Sequence, residues 1–261
     1  MDKPLIAQVD ASVICITLFV LMLLTVALGN RMRRKFWSAE EGDAGGGVNS
    51  LLGALFGLWS FILAFSFGQS GARFENVRSM IVDEGNILRT TILKADFFPD
   101  SVRDTYRVEL RKYLEERISY YEFEEGTEKF KKNREALSET ATALWKRTVR
   151  LSKNSVLNAP ANGMASALST LFDIGIRREA VLTGGIPSPI SFMLITLALT
   201  ISLVGGFTTA TIKRKEWIVV TVFALLASTI LFITIDLARP MEGLIKPDAG
   251  QNVIVALRKL F

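Results

Sequence analysis

With no histidine and a single cysteine, Cys15, the chain has few side chains able to do covalent or metal chemistry. Disulfide frameworks, thiolate or imidazole zinc sites, and Ser-His-Asp or Cys-His arrangements are all excluded within one chain. Carboxylates, guanidiniums and tyrosines remain, and their spacing singles out a few positions. Glu84 lies close to an apolar helical stripe through Ile81 and Leu88, where an unpaired carboxylate is costly. Arg117 is the candidate partner, with Asn86 able to hydrogen-bond to backbone; an ion-coordinating or gating role is the sharper alternative for Glu84. Asp236 and Arg239, three residues apart before Pro240, make an i, i+3 pair or, alternatively, part of an ion vestibule. Glu122, Glu124, Glu125 and Glu128 around Gly126 have the charge of a calcium loop without its ligand spacing, and read as a solvated helix end. The Gly45-Gly46-Gly47 triplet lacks the Lys-Ser/Thr of a phosphate loop. With no reactive constellation to name, the chain is expected not to be an enzyme and to need no metal or cofactor.

The elements that must position these groups are set by four uncharged runs in a chain that is otherwise 22% charged: Ala11 to Gly29, Ala44 to Ala72, Ala180 to Ile212 and Trp217 to Ile235. Each is long enough, as a helix, to cross the ~30 Å hydrocarbon core of a bilayer. The expected fold is an all-α membrane protein with four transmembrane helices, at 10–29, 50–70, 187–212 and 217–237. A basic and then Gly-rich short loop occupies 30–49, a basic turn 213–216 and an amphiphilic tail 238–261. Between the second and third spans lies an extramembrane domain at 71–186, about 115 residues and large enough for its own core.

No stretch of that domain alternates with a period of two, so it reads as all helical. Phe74, Val77, Ile81, Leu88, Ile92 and Ala95 continue the second span as one rod to Pro99. Val102, Tyr106, Leu110, Tyr113, Leu114, Ile118 and Tyr121 stripe the next helix, and Phe130 to Thr148 another. Pro160-Ala161-Asn162-Gly163 reads as a turn before a last helix marked by Met164, Leu168, Leu171 and Phe172. In the tail, Val253, Ile254 and Leu257 form an apolar face for the bilayer or the helical domain.

In the second span Gly53, Gly57, Ser60, Ala64 and Gly68 recur at three- and four-residue spacing, which lines up small residues on one stripe. Such a stripe lets another helix approach closely. The alternative is a pore face, with Phe56, Phe61 and Phe67 forming a hydrophobic constriction that gates by dewetting.

The net charge is +5, and the 19 basic and 17 acidic groups of residues 71–186 account for only part of it. No concentrated basic face with base-reading partners is present, so nucleic acid is not an expected partner. Arg31, Arg33, Arg34 and Lys35 in one short connection, and Lys213, Arg214 and Lys215 in another, place both in the cytoplasm by the positive-inside tendency. That orientation makes the helical domain extracytoplasmic.

Glu84-Gly85-Asn86, then Thr90, then Lys94-Ala95-Asp96-Phe97-Phe98-Pro99 resemble the signature of the bestrophin-like family of bacterial multi-pass membrane proteins. Tyr113 and Arg117 match its Tyr-x-x-x-Arg element, and Asp236-Leu237-Ala238-Arg239-Pro240 with Gly243 resembles the end of its last span. The chain departs from the pattern at Gly85 (usually Ala), Lys94 (usually Arg) and Ala238 (usually a second acid). The resemblance marks Glu84, Asn86, Asp96, Tyr113, Arg117, Asp236 and Arg239 as family-motif polar residues. It implies a homo-oligomer in the bacterial inner membrane, in contact with lipid and permeable to chloride or another small anion. It also implies a helical region on the cytoplasmic side, opposite to the charge count. The rival reading is a non-conducting sensor or scaffold whose helical domain binds a partner.

Overall fold

The structure, a computed structural model, describes residues 10–36, 45–123, 127–182, 187–208, 214–240 and 243–261. All regular structure among them is helical. In order come α1 (Ala11–Phe36), α2 (Gly45–Lys94), a 3-10 turn (Ala95–Phe97), α3 (Asp100–Glu122) and α4 (Glu128–Ser152). Then follow α5 (Asn158–Leu182), α6 (Ser188–Thr208), α7 (Arg214–Leu237), α8 (Asp248–Ala256) and a closing 3-10 turn (Leu257–Leu260). The chain divides into two compact units, Met1–Arg73 with Gly185–Arg239, and Phe74–Gly184 with Pro240–Phe261. The 50-residue α2 contributes to both.

Four of the described helical stretches are long and apolar enough to cross a membrane: Ala11–Lys35, Gly47–Phe97, Pro189–Thr208 and Glu216–Leu237. In the first unit Leu18, Met22, Trp59, Leu63, Leu194, Ala198, Ile201, Ala227 and Leu231 form the core. The tightest approach is between α1 and α6. A Cβ on Gly29 would lie 2.1 Å from the Leu203 carbonyl oxygen, and one on Gly206 2.1 Å from that of Val26. Only glycine at both positions lets these backbones touch, the geometry that small residues allow between apolar helices. At the same end Arg33 donates to the carbonyls of Phe207, at 3.3 Å, and Thr208, two oxygens the last turn of a helix leaves without intrahelical partners. The Trp59 indole N–H donates to the Leu194 carbonyl at 3.0 Å, which ties α2 to α6.

Two loop expectations change, at 30–49 and at the basic turn 213–216, where Arg214, Lys215 and Glu216 already belong to α7. Arg31, Arg33, Arg34 and Lys35 lie in the last turns of α1, and Gly45–Gly47 open α2, so the described residues of the connection expected at 30–49 are helical. Glu40, Glu41, Asp43 and Lys213 lie outside the described residues.

In the second unit one further expectation, a turn, is corrected. The α2 rod gives way to the 3-10 turn before Pro99, whose carbonyl accepts from the N–H groups of Val102 and Arg103, both at 2.9 Å, as α3 begins. Thr127 caps α4 by accepting from the Phe130 N–H at 3.2 Å. The segment Pro160 to Gly163, expected as a turn, lies inside α5. Its proline falls in the first turn, where a backbone N–H has no intrahelical acceptor in any case. Ile81, Leu88, Tyr106, Leu110, Leu114, Leu144, Met164, Leu168 and Leu171 are fully buried in the core.

Ile254 and Leu257 from the tail enter the same core, so the apolar face of the tail packs on the helical unit. Two glycines seat it: a Cβ on Gly85 would meet Val253 Cγ1 at 2.9 Å, and one on Gly250 would meet Ile81 Cγ2 at 3.1 Å. Gly85 is thus accounted for by the close approach of α8.

Candidate functional site

One helical turn beyond Ile81, α2 carries Glu84, and its carboxylate is fully buried. Arg117 of α3 donates from Nε to Glu84 Oε1, and Arg178 of α5 donates from Nη1 to Oε2. Tyr121, one turn after Arg117, donates its hydroxyl to Oε2 at 3.2 Å. The carboxylate thus joins three helices. Both arginines are buried, and they lie over aromatic rings: the Arg178 guanidinium carbon is 4.2 Å from the Tyr121 ring centre and 5.7 Å from that of Tyr120. The Arg117 carbon is 5.1 Å from the Tyr120 ring centre. Each ring face takes up part of a positive charge that water would otherwise solvate. Gly175, one turn before Arg178, leaves space for Arg117, since a Cβ there would lie 3.3 Å from its Nη2.

Two guanidiniums against one carboxylate leave the cluster one positive charge in excess. Arg117 Nη2 and Arg178 Nε and Nη2 are buried with no hydrogen-bond acceptor. Burial and the neighbouring Arg117 charge lower the pKa of Arg178 to about 10. Tyr113, one turn before Arg117, is buried against the Phe172 ring at 6.2 Å, and burial pushes its hydroxyl up to about 12. The arrangement holds charge and defines helix register, and it contains no nucleophile–base pair. No group of three or more His, Cys, Asp or Glu able to hold a metal occurs among the described residues.

Of the motif residues, the structure brings together Glu84, Arg117 and Tyr113. Asn86 is exposed and its carbonyl accepts from Thr90 Oγ1 at 3.0 Å, so its side chain takes no part in the cluster. Asp96 pairs with Arg107 at 2.8 Å on the surface, and Lys94 donates to the Gly163 carbonyl at 2.9 Å. Asp236 and Arg239 belong to the first unit, where the Arg239 N–H donates to the Asp236 carbonyl at 2.9 Å and closes α7. Glu124, Glu125 and Gly126 of the acidic run lie outside the described residues, while Glu128 pairs with Lys131 at 2.9 Å.

Arg178 is absent from the motif residues, and as a charge beside Arg177 it reads as membrane-flanking. Its phase gives it away. Met164, Leu168, Leu171, Gly175 and Arg178 follow at spacings of four and three, which places the arginine on the buried face of α5.

The small residues of α2, Gly53, Gly57, Ser60, Ala64 and Gly68, are all exposed, and nothing lies within 4 Å of a Cβ built on any of the three glycines. Among the described residues, the glycines of the stripe are therefore not points of close helix contact within one chain, whereas Gly29 and Gly206 are. Phe61 and Phe67 are exposed, whereas Phe56 packs edge-on to Phe223 with ring centres 5.3 Å apart. Within one chain the three phenylalanines do not form a single constriction.

No curated protein and no solved structure matches the chain. The family of the Bestrophin-like domain matches residues 16–246, nearly its whole length. The buried polar cluster and the apolar helices are thus those of a membrane protein that belongs to the bestrophin-like family.

Proposed function

We propose that the chain is one subunit of a homo-oligomeric, anion-permeable channel of the bacterial inner membrane. It crosses four times, through α1, the first half of α2, α6 and α7, with the second unit carried outside the bilayer. The observation that carries this reading is the exposed stripe of α2. Gly53, Gly57 and Gly68 have open space beyond them, on a helix of membrane length that carries no charge from Gly47 to Ala72. A lipid-facing surface has no use for glycine, which costs about 1 kcal/mol relative to alanine in a helix. A face turned to neighbouring copies and to a narrow path between them does. No charge lies in the middle of any span, which argues against an ion-coupled pump and is compatible with a hydrophobic gate.

The test is anion flux in vesicles containing the purified protein, with Ser60→Asp as the informative variant. Chloride efflux above that of empty vesicles, reduced by the fixed negative charge of the variant, supports the channel. No conduction by the wild-type protein favours the non-conducting scaffold. Orientation follows from Cys15→Ser protein with single cysteines at Ser38 or Ser138, labelled with an impermeant maleimide in intact spheroplasts. Reaction at Ser138 alone fits an extracytoplasmic helical unit, and reaction at Ser38 alone fits the cytoplasmic arrangement.

A further inference from the structure

Burial and exposure on α1 follow the turn of the helix. Leu18, Met22, Val26 and Gly29 are buried in the first unit, while Val13, Ile16, Val20, Leu24 and Leu28 are exposed on the other face. Arg31 and Lys35 continue that exposed face at spacings of three and four, with Arg34 beside them. The face is thus apolar for about 22 Å at 1.5 Å per residue, more than one leaflet of a bilayer core, and then basic. Arg33, on the inward side, is taken up by the carbonyls of Phe207 and Thr208, and Lys35 and Glu216 have interactions of their own. Arg31 and Arg34 are exposed and have no ion-pair or hydrogen-bond partner among the described residues, and no acidic residue stands between Ala11 and Trp37. One turn apart, two like charges disfavour each other unless an anion joins them. Arg214 and Lys215 open α7 after five intervening residues from Thr208, whose carbonyl Arg33 holds, so the backbone brings a second basic turn to the same end of the unit.

We propose that this end of the first unit selects an anionic phospholipid, with its phosphate held by Arg31 and Arg34 and an acyl chain laid along Leu28, Leu24 and Val20. Guanidinium forks match the oxygens of a phosphate, and the apolar face continuous with them suits a lipid where a free phosphate would leave it unused. A zwitterionic headgroup brings its own cation to the phosphate and gains less from the arginines, so the site discriminates by headgroup charge as well as contacting lipid. It requires α1 to span the bilayer, as in the reading above, and does not require conduction.

The experiment is native mass spectrometry of the full-length, delipidated protein in detergent, titrated with phosphatidylglycerol or with phosphatidylcholine of the same acyl chains. The first phosphatidylglycerol should bind with a half-saturating concentration about 10- to 30-fold lower, because each basic residue near an anionic headgroup contributes roughly fivefold. Arg31→Gln/Arg34→Gln should bring the two lipids together. Lys129→Gln/Lys132→Gln removes the same charge from exposed positions of α4 and should keep the preference. Soluble glycerol phosphate at the lipid's concentration should not displace it. Equal binding of the two lipids by the wild-type protein overturns the proposal without reference to any variant, and displacement by glycerol phosphate overturns it in favour of a free-phosphate site. So does a preference retained in folded Arg31→Gln/Arg34→Gln, or one lost equally in Lys129→Gln/Lys132→Gln. A protein that takes up neither lipid overturns the membrane-spanning reading as well, whereas equal uptake leaves that reading standing.

Discussion

In the first unit α1 and α6 meet through Gly29 and Gly206, whereas in the second unit α2, α3 and α5 meet through Glu84, Arg117 and Arg178. The first contact works by removing side chains until backbones touch. The second works by burying charge that is satisfied only when all three helices are in register. Between helices surrounded by lipid, apolar burial provides little drive, so close van der Waals contact has to supply it. A buried ion cluster adds little net stability over an apolar core, but removing a partner is severe. The two units should therefore fail differently: one to added volume, the other to lost charge.

The largest effect is expected at Glu84. Replacing it with Ala leaves two buried guanidiniums without their counter-ion and should cost about 3–5 kcal/mol, the range for breaking a buried pair. Arg117→Ala leaves Glu84 paired with Arg178 and should cost less than Glu84→Ala. The Glu84/Arg117 double-mutant cycle should show a coupling of roughly 0.5–3 kcal/mol. Denaturant melts of the three variants measure both quantities. Equal costs for the two single changes would mean that the carboxylate is not shared.

Next comes Gly206→Ala. A methyl group 2.1 Å from the Val26 carbonyl oxygen cannot be absorbed by a rotamer change, because the obstacle is backbone. The expected cost is about 3 kcal/mol, the upper end of what overpacking usually costs. Hydrogen exchange should localise the loss to α1 and α6, and Gly29→Ala should match it. An effect spread over α3 and α5 would erase the contrast between the units.

Tyr113 gives an intermediate effect confined to alkaline pH. Its hydroxyl titrates near 12 in the folded protein against an ordinary value of 10, so the folded state holds the proton longer than the unfolded chain. The stability this represents is complete below pH 10 and is lost as pH rises toward 12, in total roughly 2–3 kcal/mol. Arg178, lowered to about 10, gains stability over the same window, but it is common to both proteins when Tyr113→Phe is compared with wild type. The variant should match wild type in its pH dependence below pH 10 and lose less above it. Parallel curves from pH 8 to 12 would mean that Tyr113 is not buried as described.

Much of this architecture is legible in the sequence. The uncharged runs give the apolar helices, and the 3.6-residue phase of Ile81 and Leu88 puts Glu84 near a buried face with Arg117 as its partner. What escapes has physical reasons. Arg178 reads as a flanking charge because it stands beside Arg177 close to an apolar run, while its helical phase puts it on the buried face of α5. Gly29 and Gly206 pass unnoticed because each stands outside the five-residue stripe of α2, and a single glycine contact needs a partner far away in sequence. The stripe itself reads as a packing face, yet in one chain nothing lies within 4 Å of a Cβ built on its glycines.

A smaller effect is expected where α8 meets α2. Gly85→Ala places a methyl group 2.9 Å from Val253 Cγ1, the tip of a side chain with some freedom to move. The cost should be about 1 kcal/mol, the low end of the overpacking range. Val253→Ala should relieve it, so that the double variant is more stable than the sum of the single changes predicts. Additive losses would place α8 away from Gly85.

The smallest effect on the folded chain is also the one that bears most on assembly. Gly57→Leu meets nothing within 4 Å in one chain and exchanges a poor helix former for a good one. In protein dissociated to single chains its stability should stay within about 0.5 kcal/mol of wild type or rise slightly. In the oligomer the proposed arrangement gives the same substitution a large consequence, because the leucine stands between copies or in the path between them. Size-exclusion chromatography with light scattering, run beside chloride flux, separates the two: loss of assembly identifies a packing face, and an intact assembly with reduced flux identifies a pore face. A variant unchanged in both would leave the glycines of α2 facing lipid, and the contrast with Gly29 and Gly206 would then be one between a used and an unused glycine.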